Sequence, residues 1–473
     1  MPVNNKSIVG YTAAVRIYAR RREAGQALIF GLFALIGGLV ALFFLFNTGQ
    51  LTAEKTKLVN TADAVAYSAG VMHARALNFD AYTNRALMAN EVMIAQAVSM
   101  ASWITYVSQH SQSAQTLMYC RSQYSVPVGL LLFTYVPACY ALALPPGASA
   151  TQMMNQAVPP AAQAVVAFAE LAKKALQTAQ VNMAADLYLA RKSLMQDVAD
   201  ANYVNDGAVH VDNIPLTDDF GPNGASFIKR YADNDRTRFK DATVAATNLD
   251  QFIQQRSWSS ANDMPCILGN KAEFRRRGGT ELIGLDEWRA MDTASLHTWT
   301  FNIHLFSTSC DEDETPLGTG SQGAENGSND SDNGFGGSKS DNPAASAYAS
   351  SDDWNYSGLP AFYDLQQSAL QANGNSPPVL RFAIRLTRAK DQARTSEGRS
   401  GVKPSGRLAK FDSNLSSDVL MAVSTSEVFF RRPVPRSDGK SELASLFNPF
   451  WQVHLISTST ADIAQAIARG APQ

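Results

Sequence analysis

Ala27 to Phe46 is a run of twenty residues without a charged side chain, and it leaves the chain few folds to choose from. At 1.5 Å per residue, a helix of that length covers about 30 Å, the thickness of a bilayer's hydrocarbon core. Arg20, Arg21 and Arg22 stand just before the run, with Lys6 and Arg16 upstream, whereas Lys55 and Lys57 beyond it are partly offset by Glu54. The positive-inside bias predicts a cytoplasmic N-terminus and an extracytoplasmic remainder. The apolar core is longer than that of a secretory leader, and no small-x-small site follows Phe46, where the chain reads Asn-Thr-Gly-Gln-Leu. Both features predict an uncleaved anchor. Gly31, Gly37 and Gly38 are the positions where a second membrane helix could approach closely, the alternative being lipid-facing filler.

No proline occurs between Pro2 and Pro127, so nothing forces the helix to stop at the membrane surface. Leu51, Leu58, Val65, Met72, Phe79 and Ala86 follow at intervals of seven, with Ala62, Ala69 and Ala76 in complementary positions. This is a large-against-small seam at coiled-coil spacing. Periodicity alone does not separate a seam between chains from one that packs on its own domain. Ala161 to Val204 returns to helical spacing and is a natural antiparallel partner for the first stripe. Pro145, Pro146, Pro159 and Pro160 bracket the connection, where helices are expected to stop.

Between Glu91 and Glu170 the only charged side chain, histidine aside, is Arg121. Within that stretch Val126 to Leu144 is uncharged, but Pro127, Gly129 and Pro137 interrupt it and no basic flank follows before Lys173. This predicts a buried or membrane-surface hairpin, closed by Cys120 and Cys139, in preference to a second span.

After Asn205 aspartate, asparagine and glycine rise. Trp299, Phe301, Ile303 and Leu305 then alternate with polar residues, as do Leu380, Phe382, Ile384 and Leu386 with Arg381, Ala383 and Arg385. Val419 to Phe430 and Phe450 to Ile456 are further strand candidates, and together they predict a mostly antiparallel sheet with one buried face. Asp311 to Asp353, rich in Gly, Ser, Asn and Asp, reads as a long solvated loop. The expected class is α+β: a transmembrane helix, a long alanine-rich helical region, then a β-containing C-terminal domain. The boundaries fall at 1–26 (cytoplasmic basic segment), 27–46 (membrane helix), 47–204 (helical region), 205–310 (mixed α/β), 311–353 (acidic loop) and 354–473 (β-rich region).

With 40 basic and 42 acidic side chains among 473 residues, no electrostatic footprint points to nucleic acid. Cys120, Cys139, Cys266 and Cys310 form no Cys-x-x-Cys pair, which argues against a zinc or dithiol centre. An extracytoplasmic location would let them pair as disulfides, and the sequential connectivity closes the shortest of three possible sets of loops; four buried thiols are the alternative. His297 and His304 lack an intervening acid, Gly320-Ser321-Gln322-Gly323 lacks the nucleophile-elbow spacing, and Gly336 to Ser340 lacks the spacing and helix of a phosphate loop. Asn329 to Gly334 offers oxygen ligands, but Ser340 stands where a calcium loop closes with Glu. No catalytic constellation, cofactor or metal site is predicted.

Arg21-Arg22-Glu23-Ala24-Gly25-Gln26, the apolar run, and then Leu58-Val59-Asn60-Thr61-Ala62-Asp63-Ala64-Val65-Ala66 resemble the N-terminal domain of TadE/TadG-like proteins of the Tad (Flp) pilus system. The resemblance covers about Arg20 to Gly70. It implies a single-pass protein of the bacterial inner membrane with a periplasmic bulk, acting as a structural or assembly component, minor-pilin-like. The partners implied are other pilus or assembly-platform proteins, with an oligomer possible. Phe30 stands where processed pilins carry Glu five residues after the cleavage-site glycine, counting from Gly25. Asp412-Ser413-Asn414-Leu415-Ser416 departs from the metal motif of a von Willebrand factor A domain at Asn414. Both departures point to a permanent membrane component that holds no metal. The competing class is a membrane-tethered periplasmic ligand-binding or sensor protein.

Overall fold

Proline-free and rich in alanine, the first part of the chain forms one helix, α1 (Ala24–Gln112), which carries the membrane run and the heptad stripe on one axis. A computed structural model describes residues 24–113, 145–221, 227–259, 271–304, 307–326, 337–350, 352–371, 378–396, 398–403, 405 and 419–470. The chain returns in α2 (Pro145–Asn202). Contacts of Ser111 with Thr151, Glu91 with Lys173 and His73 with Arg191 show that α2 runs antiparallel to α1, as the sequence predicts. Pro159 and Pro160 do not end α2 but lie inside it. The carbonyls deprived of a donor belong to Asn155 and Gln156, which are half-buried and exposed, so water can satisfy them.

The described strands are β1 (His210–Val211), β2 (Thr217–Asp218), β3 (Ile228–Tyr231), β4 (Arg256–Ser259), β5 (Lys271–Ile283), β6 (Glu287–Ile303), β7 (Thr308–Glu325), β8 (Trp354–Asn355), β9 (Phe362–Leu365), β10 (Val379–Ala389), β11 (Val419–Phe430) and β12 (Trp451–Ile456). They form a membrane-proximal sheet ordered β1-β10-β11-β12, with β2 also on β10, a β3-β9 pair, and a distal sheet ordered β4-β5-β6-β7-β8. Every pairing is antiparallel except β7 with β8. The α+β class and the strands expected at Leu380, Val419 and Phe450 are therefore present.

Both sheets pack on α1. Near the membrane, Leu58, Ala62, Val65 and Ala69 of α1 share a core with Met195 and Ala199 of α2 and with Phe382, Ile384 and Leu386 of β10. Farther along, Ile94, Val98 and Ala101 meet Val166 of α2 and Trp288 and Tyr356. Between these levels α3 (Thr237–Thr247) sets Phe239 against Phe362.

Two expectations fail here. The first is the solvated loop over Asp311 to Asp353: its beginning lies within β7, paired with β6 from Ile303 and Thr308 through to Glu287 and Glu325. The glycines that suggested disorder let the strand lie against the helix. A Cβ on Gly318 would stand 2.8–2.9 Å from the Cβ, Cα and N of His110, and one on Gly320 would overlap the Ser102 carbonyl oxygen. Gly70 makes the reciprocal approach, as a Cβ there would stand 2.8 Å from Ser426 Oγ of β11. The second is the exposed face of β10. Arg385 and Ala383 are fully buried, because the C-terminal helix α4 (Thr460–Ala468) covers that face through Ala466.

Candidate functional site

The candidate functional feature is the passage of α1 from an uncovered apolar rod into a helix with one side packed into the domain. No residue of the most apolar stretch is buried by the rest of the chain, its mean hydropathy is 2.8, and α1 is the one described helix long and apolar enough to cross a membrane. Gly31, Gly37 and Gly38 have open space where a Cβ would stand, so nothing in this chain occupies the closest approach to the helix.

Burial starts one residue after Phe46. Asn47 Oδ1 accepts from the Ser396 amide at 2.9 Å and from its hydroxyl at 2.8 Å. One to three turns further, Glu54 pairs with buried Arg388 at 3.0 Å, while Lys57 and Arg394 reach Asp206 at 2.5 and 2.7 Å. Tyr203 gives its ring face to Lys57 and Arg388, 4.2 and 4.6 Å from the centroid. This collar holds the Asp206 carboxyl below its ordinary range through Lys57 and Arg394, outweighing the opposing effect of burial. Glu54 is the first charged side chain of α1 after the apolar run, and no member of the collar enters hydrocarbon cheaply.

Polar groups continue up α1. Asp63 accepts from Ser424 of β11 at 2.7 Å. Arg191 of α2 forks onto Asp218 at 3.1 and 2.6 Å, beside His73, whose ring stacks on Phe220 at 4.6 Å. Burial and then the Arg191 charge lower the pKa of His73 to about 3, so it is neutral at physiological pH. Asp80 is buried with neither carboxylate oxygen hydrogen-bonded, and burial lifts its pKa well above the ordinary range. Gln180 joins Thr83 and Asn84 at 2.7 and 2.8 Å.

The Lys173 ammonium is buried between α1 and α2. It stands 2.6 Å from Glu91 and 2.7 Å from Glu170 and donates to the Gly358 carbonyl at 2.9 Å. Glu91 is also held by Trp288 Nε1 at 2.9 Å and by the Tyr356 hydroxyl at 2.7 Å. About three turns further out, Ser102 and Arg256 hold Asp292 at 2.9 Å each; burial raises the Asp292 carboxyl and Arg256 opposes it. Three of these layers tie α1 to α2, through Arg191, Gln180 and Lys173, and the others tie it to the two sheets, through Ser424 and Asp292.

These positions qualify the expected seam. Leu58 and Val65 are wholly buried, Met72 and Phe79 are half-buried, and Leu51 is half-buried beside the collar. Leu58 and Val65 face α2 and the proximal sheet of the same chain, which leaves them no surface for a second one. The buried face of α2 likewise includes Lys173, Gln180 and Arg191, which a search for apolar periodicity passes over. The signal that could have found them is complementarity: Glu54, His73, Asp80, Asn84 and Glu91 mark the inward stripe of α1, and Lys173, Gln180 and Arg191 answer it in reverse order.

Arg20, Arg21 and Arg22 lie outside the described residues, as do Cys120, Cys139, Cys266 and the expected hairpin. Cys310, on β7 opposite Phe301, is the one described cysteine. Among the described residues no group of three His, Cys, Asp or Glu side chains is placed to hold a metal. A cleft of about 310 Å³ between α2 and β1 is lined by Lys192, Met195, Gln196 and Asp212, but Asp212 is committed to Arg385 at 2.7 Å and Arg469 at 3.3 Å.

Residues 25–76 match the family model Tad, described as "Putative Flp pilus-assembly TadE/G-like". The match starts just before the apolar run and ends within the buried part of α1, taking in the collar residues Asn47, Glu54 and Lys57 and the packing residues Asp63 and Val65. No curated protein and no solved structure matches the chain.

Proposed function

We propose that the chain is a structural component of a Tad/Flp-type pilus assembly machine, minor-pilin-like, held in the bacterial inner membrane by α1 with its N-terminus cytoplasmic and its bulk periplasmic. The carrying observation is that the TadE/G-like stretch is one unbroken helix, uncovered over Ala27 to Phe46 and built into the domain's core beyond it. Such a helix passes a displacement of the domain directly to its membrane segment. The uncovered Gly31, Gly37 and Gly38 are the places where helices of other pilus or assembly-platform proteins would approach, because membrane helices associate through small residues. The basic cluster at Arg20, Arg21 and Arg22 supports the orientation.

The test is complementation of a pilus-forming strain from which this chain has been deleted. Replacing Gly31, Gly37 and Gly38 with Leu should leave the protein membrane-inserted and the domain folded while abolishing pilus assembly. Normal piliation with the deletion itself would overturn the assembly reading, and normal piliation with the triple variant would overturn the glycine contacts.

A further inference from the structure

The connection that leaves β10 brings the chain back to the end of the apolar run. It descends along α1: the Arg394 amide donates to Glu54 at 3.4 Å, and the Ser396 amide and hydroxyl donate to Asn47 at 2.9 and 2.8 Å. Asn47 directly follows Phe46. The loop then folds back on itself, with the Gly398 and Ser400 amides bonded to the Thr395 carbonyl and the Arg399 amide to that of Ala393. A bilayer's headgroup layer extends about 5–7 Å beyond the hydrocarbon on each side. If hydrocarbon ends at Phe46, headgroups lie alongside α1 to about Leu51, and Glu54 stands only about 5 Å past them.

What the loop presents at that height is positive charge. From Lys390 to Lys403 the chain carries four cations, Lys390, Arg394, Arg399 and Lys403, against Asp391 and Glu397. Arg394 is 59% exposed. Arg399, laid against Gly207, and Lys403 are exposed, and neither has an acidic partner among the described residues. The acids of the collar, Glu54 and Asp206, are buried and committed to Arg388, Lys57 and Arg394, so they do not cancel this surface charge. Beside Lys403, Val402 is 50% exposed, and an apolar side chain next to a basic one suits the boundary between headgroups and acyl chains.

We propose that this loop is a docking surface for anionic phospholipid headgroups, in the leaflet through which α1 leaves the membrane. The proposal rests on the membrane reading above, and position and charge together name the occupant. The contact of Ser396 with Asn47 sets the loop beside the headgroup layer, and exposed guanidinium and ammonium groups complement lipid phosphates. Each Lys or Arg near an anionic surface favours contact with it by about fivefold, and the effect reaches about one Debye length, ~8 Å at physiological salt. The gap of about 5 Å at Glu54 falls inside that reach. Because Ser396 lies 349 residues beyond Asn47, the loop has no part in the flanking charge bias that orients the anchor. Its attachment on one side of α1 would instead set the direction in which the membrane helix leans, since interfacial cations act as such anchors.

The experiment is amide hydrogen exchange of the full chain in lipid nanodiscs, made from phosphatidylcholine alone or with phosphatidylglycerol added. The amides from Arg399 to Lys403 should exchange at least about fivefold more slowly in the anionic discs, and molar salt should remove the difference. Arg399→Gln combined with Lys403→Gln should also remove it, with exchange around Val65 unchanged as the sign that the domain is folded. Arg21→Gln with Arg22→Gln, on the opposite side of the membrane, should leave it in place. Equal rates in the two discs, or a difference that survives the Arg399 and Lys403 substitutions, overturns the proposal. Equal slowing by inorganic phosphate in phosphatidylcholine discs would make the loop a site for free anions and overturn the lipid assignment. A chain that inserts into neither disc overturns the membrane reading, and the lipid assignment falls with it.

Discussion

Lys173→Met is the sharpest test of how α1 is held. The ammonium is 2.6 Å from Glu91, which at an effective dielectric near 20 is a gross attraction of about 6 kcal/mol. Burying the two ions costs several kcal/mol each, so the pair as a whole is close to neutral. Removing one partner is different, because Glu91 is wholly buried and would keep only the Trp288 and Tyr356 donors. Glu170, partly exposed, can return to water. The single substitution should therefore destabilise the α1–α2 contact by about 3–5 kcal/mol, and Glu91→Gln added to it should recover a large part of that loss. The assay is amide hydrogen exchange along α1 in the purified full chain, which reads local opening around residue 91 and needs no two-state melt. A cost under about 1 kcal/mol for Lys173→Met, or a double variant whose cost equals the sum of the singles, would refute the account of Lys173 and Glu91 as a coupled buried pair.

Gly320→Ala should separate β7 from α1 at a cost of about 1–3 kcal/mol, because the added carbon meets the Ser102 and Tyr106 backbone, which cannot turn aside; thermal unfolding would show it, and an unchanged midpoint would contradict the close approach. Burial raises the Asp80 pKa well above the unfolded value of 3.8. Its contribution is therefore full at acid pH and is lost as pH rises from the unfolded value through the folded one. Asp80→Asn should flatten that slope and raise stability at neutral pH, and an unaltered pH profile of unfolding would count against an unpaired Asp80. Val65→Glu would place an uncompensated charge in the proximal core, the kind of change that costs more than about 4 kcal/mol. It should unfold the domain around an intact anchor, as read by protease sensitivity, and a protease-resistant variant would restore the idea that Val65 faces another chain.

The amino-acid sequence by itself determined the local features of this protein. Ala27 to Phe46 is apolar for long enough to cross a bilayer, the absence of proline lets α1 run on, and the alternation around Leu380, Val419 and Phe450 makes strands, because each pattern acts over a few residues. The stretch from Asn60 to Ala64 was likewise legible as TadE/G-like, and Asp63 and Ala62 turn out to dock α1 on the proximal sheet and α2. Only the tertiary structure decided what each face meets. The heptad stripe has the same period whether its partner is in this chain or in another, and packing assigns Leu58 and Val65 to α2 and the proximal sheet of this chain. Glycine in β7 signals flexibility until an α1 backbone stands where its Cβ would be. Arg385, Arg388, Lys173 and Glu91 read as surface charges until long-range folding brings opposite charges against them, because the cost of burying an ion depends on partners that can lie hundreds of residues away.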